Sequence, residues 1–317
     1  VALNWNLNRV VVLVGGVGGA KLAHGLAHIL QPEQLTVIVN TGDDFWHYGL
    51  KICPDLDTVM YTLSGVVDKS NGWGVSGDTT AMLDALRRYG EAPWFRLGDQ
   101  DMATHVLRTQ AIHAGESLTA ITQRLTKNLG IRHAVLPMTD DDVPTMIDTD
   151  QHGEIEFQEY FVKYRWQPRV KGVRYANIER ARMTDDVIAA LTNAEIVMIA
   201  PSNPWLSIAP ILSLPGMRKA LAMRGVPVAA VSPIVEGRAL KGPAAKLMSE
   251  LGYADVSARA IADYYDGVID GFVYDQRDAN ERIALHGVRV LTCNTIMTND
   301  DERAELARTI LNWINEW

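Results

Sequence analysis

Residues 15–21 read GGVGGAK, four glycines in five positions followed by Lys21, directly after a run of valines and a leucine. A dinucleotide fingerprint needs a glycine three positions after Gly18, where Lys21 stands. A P-loop needs Gly-Lys-Ser/Thr, where the chain has Ala20-Lys21-Leu22. The physics of a phosphate turn survives both mismatches. Glycines allow close backbone approach, free N–H groups at a helix start point toward an anion, and a lysine adds charge. Gly16, Gly18, Gly19 and Lys21 are therefore candidate phosphate-binding residues. The alternative is a tight strand-to-helix turn with a solvated lysine.

Carboxylates follow closely. NTGDD places Asp43 and Asp44 behind a second apolar run, and PDLDT places Asp55 and Asp57 at a helix start. Carboxylates beside a phosphate site repel the ligand unless a cation sits between them, so the combination points to Mg²⁺. Asp55 serves equally well as a helix N-cap, and Asp43 or Asp44 as a turn residue. RLGDQD (96–101) supplies Arg96, Asp99 and Asp101; here the alternative is capping of the next helix, with Arg96 on the surface. PSNPWLS (201–207) offers Ser202, Asn203 and Ser207, either to a ligand or to a helix cap. His24, His28, His105 and His113 lie in helical patterns without metal-ligand spacing and read as packing or surface residues.

The elements that must position these residues follow an α/β grammar. Apolar runs at 10–14, 35–40, 133–137, 195–200, 226–231, 271–275 and 288–294 read as strands, with helical patterns between them. That order predicts a Rossmann-like, doubly wound and mainly parallel sheet in one domain, 1–317. The pattern changes over 139–180, where apolar and polar residues alternate around Asp150–Gly153. A small inserted α+β subdomain containing a hairpin is expected there. In such sheets ligands bind beyond the carboxyl ends of the strands, where the loops above fall.

Bulk properties narrow the classes. A chain of 317 residues with 47% hydrophobic content can bury a large core, and a net charge of −8 weighs against a general nucleic-acid binder. Cys53 and Cys293 show no motif spacing, so neither a disulfide framework nor a metal motif is expected. The first apolar run is too short to span a bilayer, no targeting segment stands out, and cytoplasmic placement is the expectation.

Taken together, the loops resemble the 2-phospho-L-lactate transferase family (CofD/FbiA type) of deazaflavin coenzyme F-420 biosynthesis. The segments that carry the resemblance are GGVGGAK, NTGDD, ICPDLDTVMYTL, GWG, RLGDQD, PMTDD, FQEYFVKYR, APSNPWLSIAPIL, SPIVEGRALKGPA and NTIMT, in order from residue 12 to 298. The stretch VALNWNLN ahead of the first strand has no counterpart in it. The resemblance implies a homodimer with a Rossmann-like core and a Mg²⁺-dependent reaction. The ribityl hydroxyl of the deazaflavin Fo would attack the phosphorus that bears the lactyl or enolpyruvyl group of a guanosine diphosphate donor, and GMP would leave. By position, Asp57 and Arg96 match the Fo-binding residues. Asp43 and Asp57, with Asp44 in reserve, would hold the metal, and Asp43 and Asp57 are the catalytic candidates. The glycine turn, Ser202, Asn203, Ser207 and Ser232 of the SPI loop would face the donor. Two other classes fit the same fold, an NAD-dependent oxidoreductase and a non-catalytic nucleotide-binding regulator. The incomplete glycine fingerprint weighs against the first.

Overall fold

A computed structural model describes residues 9–223, 225–239 and 243–317. The N-terminal VALNWNLN and residues 240–242 of the SPIVEGRALKGPA segment lie outside the described residues. The central sheet has seven parallel strands: β1 (Val10–Val14), β2 (Leu35–Val39), β3 (Ala134–Pro137), β4 (Ile196–Ile199), β5 (Val228–Val231), β6 (Gly271–Asp275) and β7 (Arg289–Cys293). Every residue of β1, β4, β5 and β6 is buried, as expected when helices cover both faces of a parallel sheet.

The spatial order is β7-β6-β5-β4-β1-β2-β3. The chain winds outward from β1 through β2 to β3, then returns to pair β4 with the free side of β1. That reversal between β1 and β4 is the topological switch point, the place beyond the carboxyl ends of the strands where sheets of this kind bind ligands. The doubly wound architecture read from the sequence is thereby found.

Glycines let the two loops at the switch point close on each other. A Cβ on Gly18 would run into the carbonyl oxygen of Pro201, and one on Gly19 would meet Ser202 and Val14. The Ser202 hydroxyl donates to the Gly15 carbonyl at 2.7 Å, and the Gly15 N–H donates back to Ser202 Oγ at 3.3 Å. Gly16, at φ +59°, occupies the left-handed region and turns the chain into helix α1 (Gly16–Ile29).

Two satellites flank this core. The expected insertion is a three-stranded antiparallel sheet with Thr145–Thr149 between Gly153–Glu156 and Val170–Tyr175. A second hairpin, Phe45–His47 with Leu50–Ile52, was not read from the sequence. It turns on Tyr48 and Gly49, both at positive φ, the geometry of a tight hairpin turn. Helices α2 (Pro54–Ser64), α3 (Ala81–Arg88) and α4 (Asp101–His113) follow it.

Helix α1 packs on the last helix (Asp300–Ile314) at Gly25, where a Cβ would penetrate the carbonyl group of Arg303. Alanine gains up to about 1 kcal/mol of helix propensity over glycine, whereas forced overpacking costs about 1–3 kcal/mol. Because the obstacle is backbone, Gly25→Ala is expected to lower the free energy of unfolding by at least about 1 kcal/mol in a urea titration. An unchanged or raised stability would show that the two helices do not meet there.

Candidate active site

β2 ends at the switch-point edge, and its continuation Asn40–Asp44 turns across the carboxyl ends of the strands. Helix α2 starts close by with Pro54 at its first position, and Asp55 and Asp57 lie in its first turn. Helix starts favour carboxylates through the helix dipole. The cap itself falls on Cys53, so Asp55 is not the N-cap. Asp55 instead accepts from the Nδ2 of Asn40 at 2.9 Å and from the backbone N–H of Gly16. A carboxylate of the chain itself therefore engages the start of α1. Asp43 accepts from the same Asn40 nitrogen at 3.1 Å. Asp44 Oδ1 is buried without a hydrogen-bond partner.

A second group surrounds Asp57. Arg108 of α4, 1% exposed, forks onto both oxygens of Asp57 and also donates to the Lys51 carbonyl at 3.3 Å. His105, one turn earlier, lies between two carboxylates. Its Nδ1 is 3.6 Å from Asp57 and its Nε2 is 3.2 Å from Asp101. Asp101 in turn accepts from the Tyr61 hydroxyl at 2.6 Å. Lys51, almost fully buried, reaches Asp142 of the inserted subdomain at 2.6 Å and also feels Asp44.

Four buried carboxylates, Asp43, Asp44, Asp55 and Asp57, thus face two buried cations, Lys51 and Arg108. Burial dominates the acidities of three of these carboxylates. Burial, then the charge of Asp55, pushes the Asp43 carboxyl well above its usual range against the pull of Asn40. Burial raises Asp44 to about 7 and Asp55 to about 6. Arg108 runs the other way. Burial alone would lower its pKa, but the adjoining Asp57 carboxylate outweighs that and raises it.

The structure distributes the sequence-derived candidates unevenly. Asp44 lies within charge range of both Asp43 and Asp57, but Asp43 pairs with Asp55 through Asn40 and Asp57 with Arg108. Gly18 and Gly19 pack against the 201–202 loop, so the close approach they allow is to the chain's own backbone. Lys21 donates to the Met297 carbonyl at 2.7 Å. Asn203 caps the π-helical turn Pro204–Ile208 through the Trp205 and Leu206 N–H groups. Ser207 is buried against Gly15, and Ser232 closes its own turn with Ile234. Arg96 is exposed, with its guanidinium 5.9 Å from the ring centre of Trp73. Asp99 caps α3 rather than the following helix, and Asp78 provides the matching contacts at the start of α4. His105, read as a packing residue, belongs to the charged network. Asn40, Lys51, Arg108 and Tyr61 were missed, and Asp101, read as a carboxylate or a cap of the next helix, lies beside His105 and Tyr61 in this network. The only signal for Arg108 and His105 was their three-residue spacing on one helix face, which no nearby motif singles out.

A divalent cation can be tested against two sets of residues. Asp57, Asp101 and His105 offer ligand atoms within 4.8 Å of one another. Arg108 donates to both Asp57 oxygens, so a cation there would have to share Asp57 with a guanidinium, while His105 Nε2 is buried without a hydrogen-bond partner. Asp43 and Asp55, drawn together by Asn40, and Asp44, whose Oδ1 is buried without a partner, are hard oxygen donors of the kind Mg²⁺ prefers, although among the described residues these three do not draw within the 4.8 Å that joins Asp57, Asp101 and His105.

Residues 10–310 match the family model for 2-phospho-L-lactate transferase CofD. The chain belongs to the CofD family. A phosphoenolpyruvate transferase of Streptomyces griseus is 40% identical over 314 residues, covering 97% of this chain and 99% of the relative. A 2-phospho-L-lactate transferase of Methanosarcina mazei is also 40% identical, over 307 residues, covering 95% and 99%. This CofD-family chain is accordingly an enzyme that transfers a phosphate-containing group. Its fold is shared with a crystal structure of a UPF0052-family protein from Bacillus halodurans, at a TM-score of 0.61, 15% identity and coverage of 96% and 98%. Among the described residues, no helix is long and apolar enough to cross a membrane.

Removing Arg108 would leave Asp57 charged and unpaired in the interior. Breaking a buried pair from one side costs about 3–5 kcal/mol, whereas replacing both partners with apolar groups costs less. Arg108→Met is therefore expected to destabilise the enzyme by that amount, and Arg108→Met with Asp57→Leu by clearly less. Urea titrations of the double-mutant cycle measure both; additive losses would show that the two groups do not share a charge balance.

Proposed function

We propose that this enzyme transfers a phospholactyl or phosphoenolpyruvyl group from a guanosine diphosphate donor to the ribityl hydroxyl of the deazaflavin Fo, releasing GMP. The hydroxyl oxygen forms a new bond to phosphorus, the bridging P–O bond to GMP breaks, and the hydroxyl proton is released. The observation that carries this reading is the under-neutralised carboxylate cluster at the switch point. Family membership and the relatives named as phosphoenolpyruvate and 2-phospho-L-lactate transferases support the choice of transferred group.

Displacement at phosphorus asks the protein for positioning and charge neutralisation more than for covalent help. Asp43, Asp44 and Asp55 would hold Mg²⁺. When bound, the cation neutralises diphosphate oxygens and the charge that gathers on the departing GMP. Asp57, fixed in one orientation by Arg108, keeps lone pairs with which to accept a hydrogen bond from the acceptor's hydroxyl chain. Arg96 presents a planar cation beside Trp73, a surface suited to a flat heterocycle. Its replacement by alanine is expected to weaken Fo more than GDP.

Mass spectrometry of the product formed from Fo and each donor in turn tests the proposal. A mass equal to Fo plus the phospholactyl or phosphoenolpyruvyl group, with GMP as co-product, is the expected result. Asp43→Asn is expected to lower the rate on the order of 100-fold or more, and excess EDTA to abolish turnover. Full turnover in EDTA would remove the cation from the mechanism, and an unmodified Fo with every donor would remove the proposed reaction.

A further inference from the structure

Resting on the cation-assisted reading above, we infer that Asn40 is the positioning residue that sets the spacing of the cation-holding carboxylates. Asn40 is completely buried at the end of β2, where its backbone N–H donates to the Val14 carbonyl at 2.9 Å. Its side-chain Oδ1 accepts from the Gly42 N–H at 2.8 Å. A carbonyl oxygen must face that donor, so the amide's orientation is fixed and the NH₂ group faces the acceptors.

Three acceptors surround that nitrogen: Asp55 Oδ2 at 2.9 Å, Asp43 Oδ1 at 3.1 Å and the Leu206 carbonyl at 3.2 Å. An amide has two hydrogens to give, so the group is saturated, and the two carboxylates are its nearest partners. They arrive from different elements, the turn after β2 and the first turn of α2. One neutral donor makes them converge despite their mutual repulsion. The Leu206 carbonyl adds the loop beyond β4 to the same point. Asn40 thereby joins the loops that follow β2 and β4 to the carboxylate pair.

The contrast with Asp57 gives the chemical reason for an amide. Asp57 is held by a guanidinium, which orients it and cancels its charge. A lysine or arginine at position 40 would do the same to Asp43 and Asp55 and would compete with a divalent cation for them. Asparagine orients the pair without adding a positive charge that would compete for it. Groups that orient ligands without touching the metal typically govern affinity by about 10- to 100-fold.

The test is Mn²⁺ binding to the full chain, followed by electron paramagnetic resonance without nucleotide, in parallel with urea unfolding in EDTA. The wild type is expected to bind Mn²⁺, and Asn40→Ser to weaken that binding about 10- to 100-fold. A purely structural asparagine would lower stability in EDTA and leave the Mn²⁺ affinity unchanged, which overturns the inference while sparing the cation reading. A wild type that binds no Mn²⁺ overturns both. Should Asn40→Ser fail to fold, wild-type crystals soaked in Mn²⁺ decide the matter. An anomalous peak shared by Asp43 and Asp55, with Asn40 still bonded to both, supports the inference; a peak at Asp57, Asp101 and His105 overturns it.

Discussion

A carboxylate taken out of water costs several kcal/mol unless a cation or a set of donors replaces the lost hydration. This chain buries four of them at one edge of its sheet, and the rest of the site is arranged around that cost. One, Asp57, is balanced within the protein by Arg108. Asp43 and Asp55 are held by the neutral amide of Asn40, Asp44 keeps one oxygen without a partner, and burial that positive charge does not fully offset raises the pKa values of all three. Lys51 supplies part of that charge, but its ammonium is shared with Asp142. A site of this kind costs stability in the protein alone, and under the proposed reaction a cation and an anionic donor arriving together would restore it.

The glycine turn acquires its meaning from the same cluster. Gly18 and Gly19 bring the β1 and β4 loops into contact, and Gly15 and Ser202 hold them there. Gly16 turns its N–H toward Asp55. The turn therefore builds the wall against which the carboxylates stand, and its exposure to a donor is confined to what that wall leaves open. Lys21 points across to the segment before the last helix, tying the far side of α1 to the Met297 carbonyl.

Much of the fold was legible because parallel strands buried on both faces must be continuous apolar runs, and seven such runs stand in the sequence. The hairpin at 45–52 was not, because FWHYGLKI places its turn on Tyr48-Gly49 without an Asn-Gly or Asp-Gly signal. Within the site, the aspartates were legible since NTGDD and PDLDT put acidic residues at strand and helix ends. Their partners were not. Arg108 lies 51 residues from Asp57, and a helical arginine in sequence reads as a solvated one. Asn40 was visible in NTGDD but silent, because an amide declares its role only through what it touches. Ser202, Asn203 and Ser207 of PSNPWLS were read as ligand donors or as caps; for Asn203 the cap is what the structure contains, and for Ser202 a clasp on Gly15.

The central claim is that the switch-point cluster accepts a diphosphate only together with a divalent cation. Calorimetric titration of GDP into the enzyme, once with Mg²⁺ and once in EDTA, tests it most directly. An anion brought to an under-neutralised carboxylate cluster is repelled by a few kcal/mol, so removal of Mg²⁺ is expected to weaken GDP on the order of 100-fold or more. Equal affinity in EDTA would contradict the claim, and would mean that the diphosphate is held away from Asp43, Asp44 and Asp55.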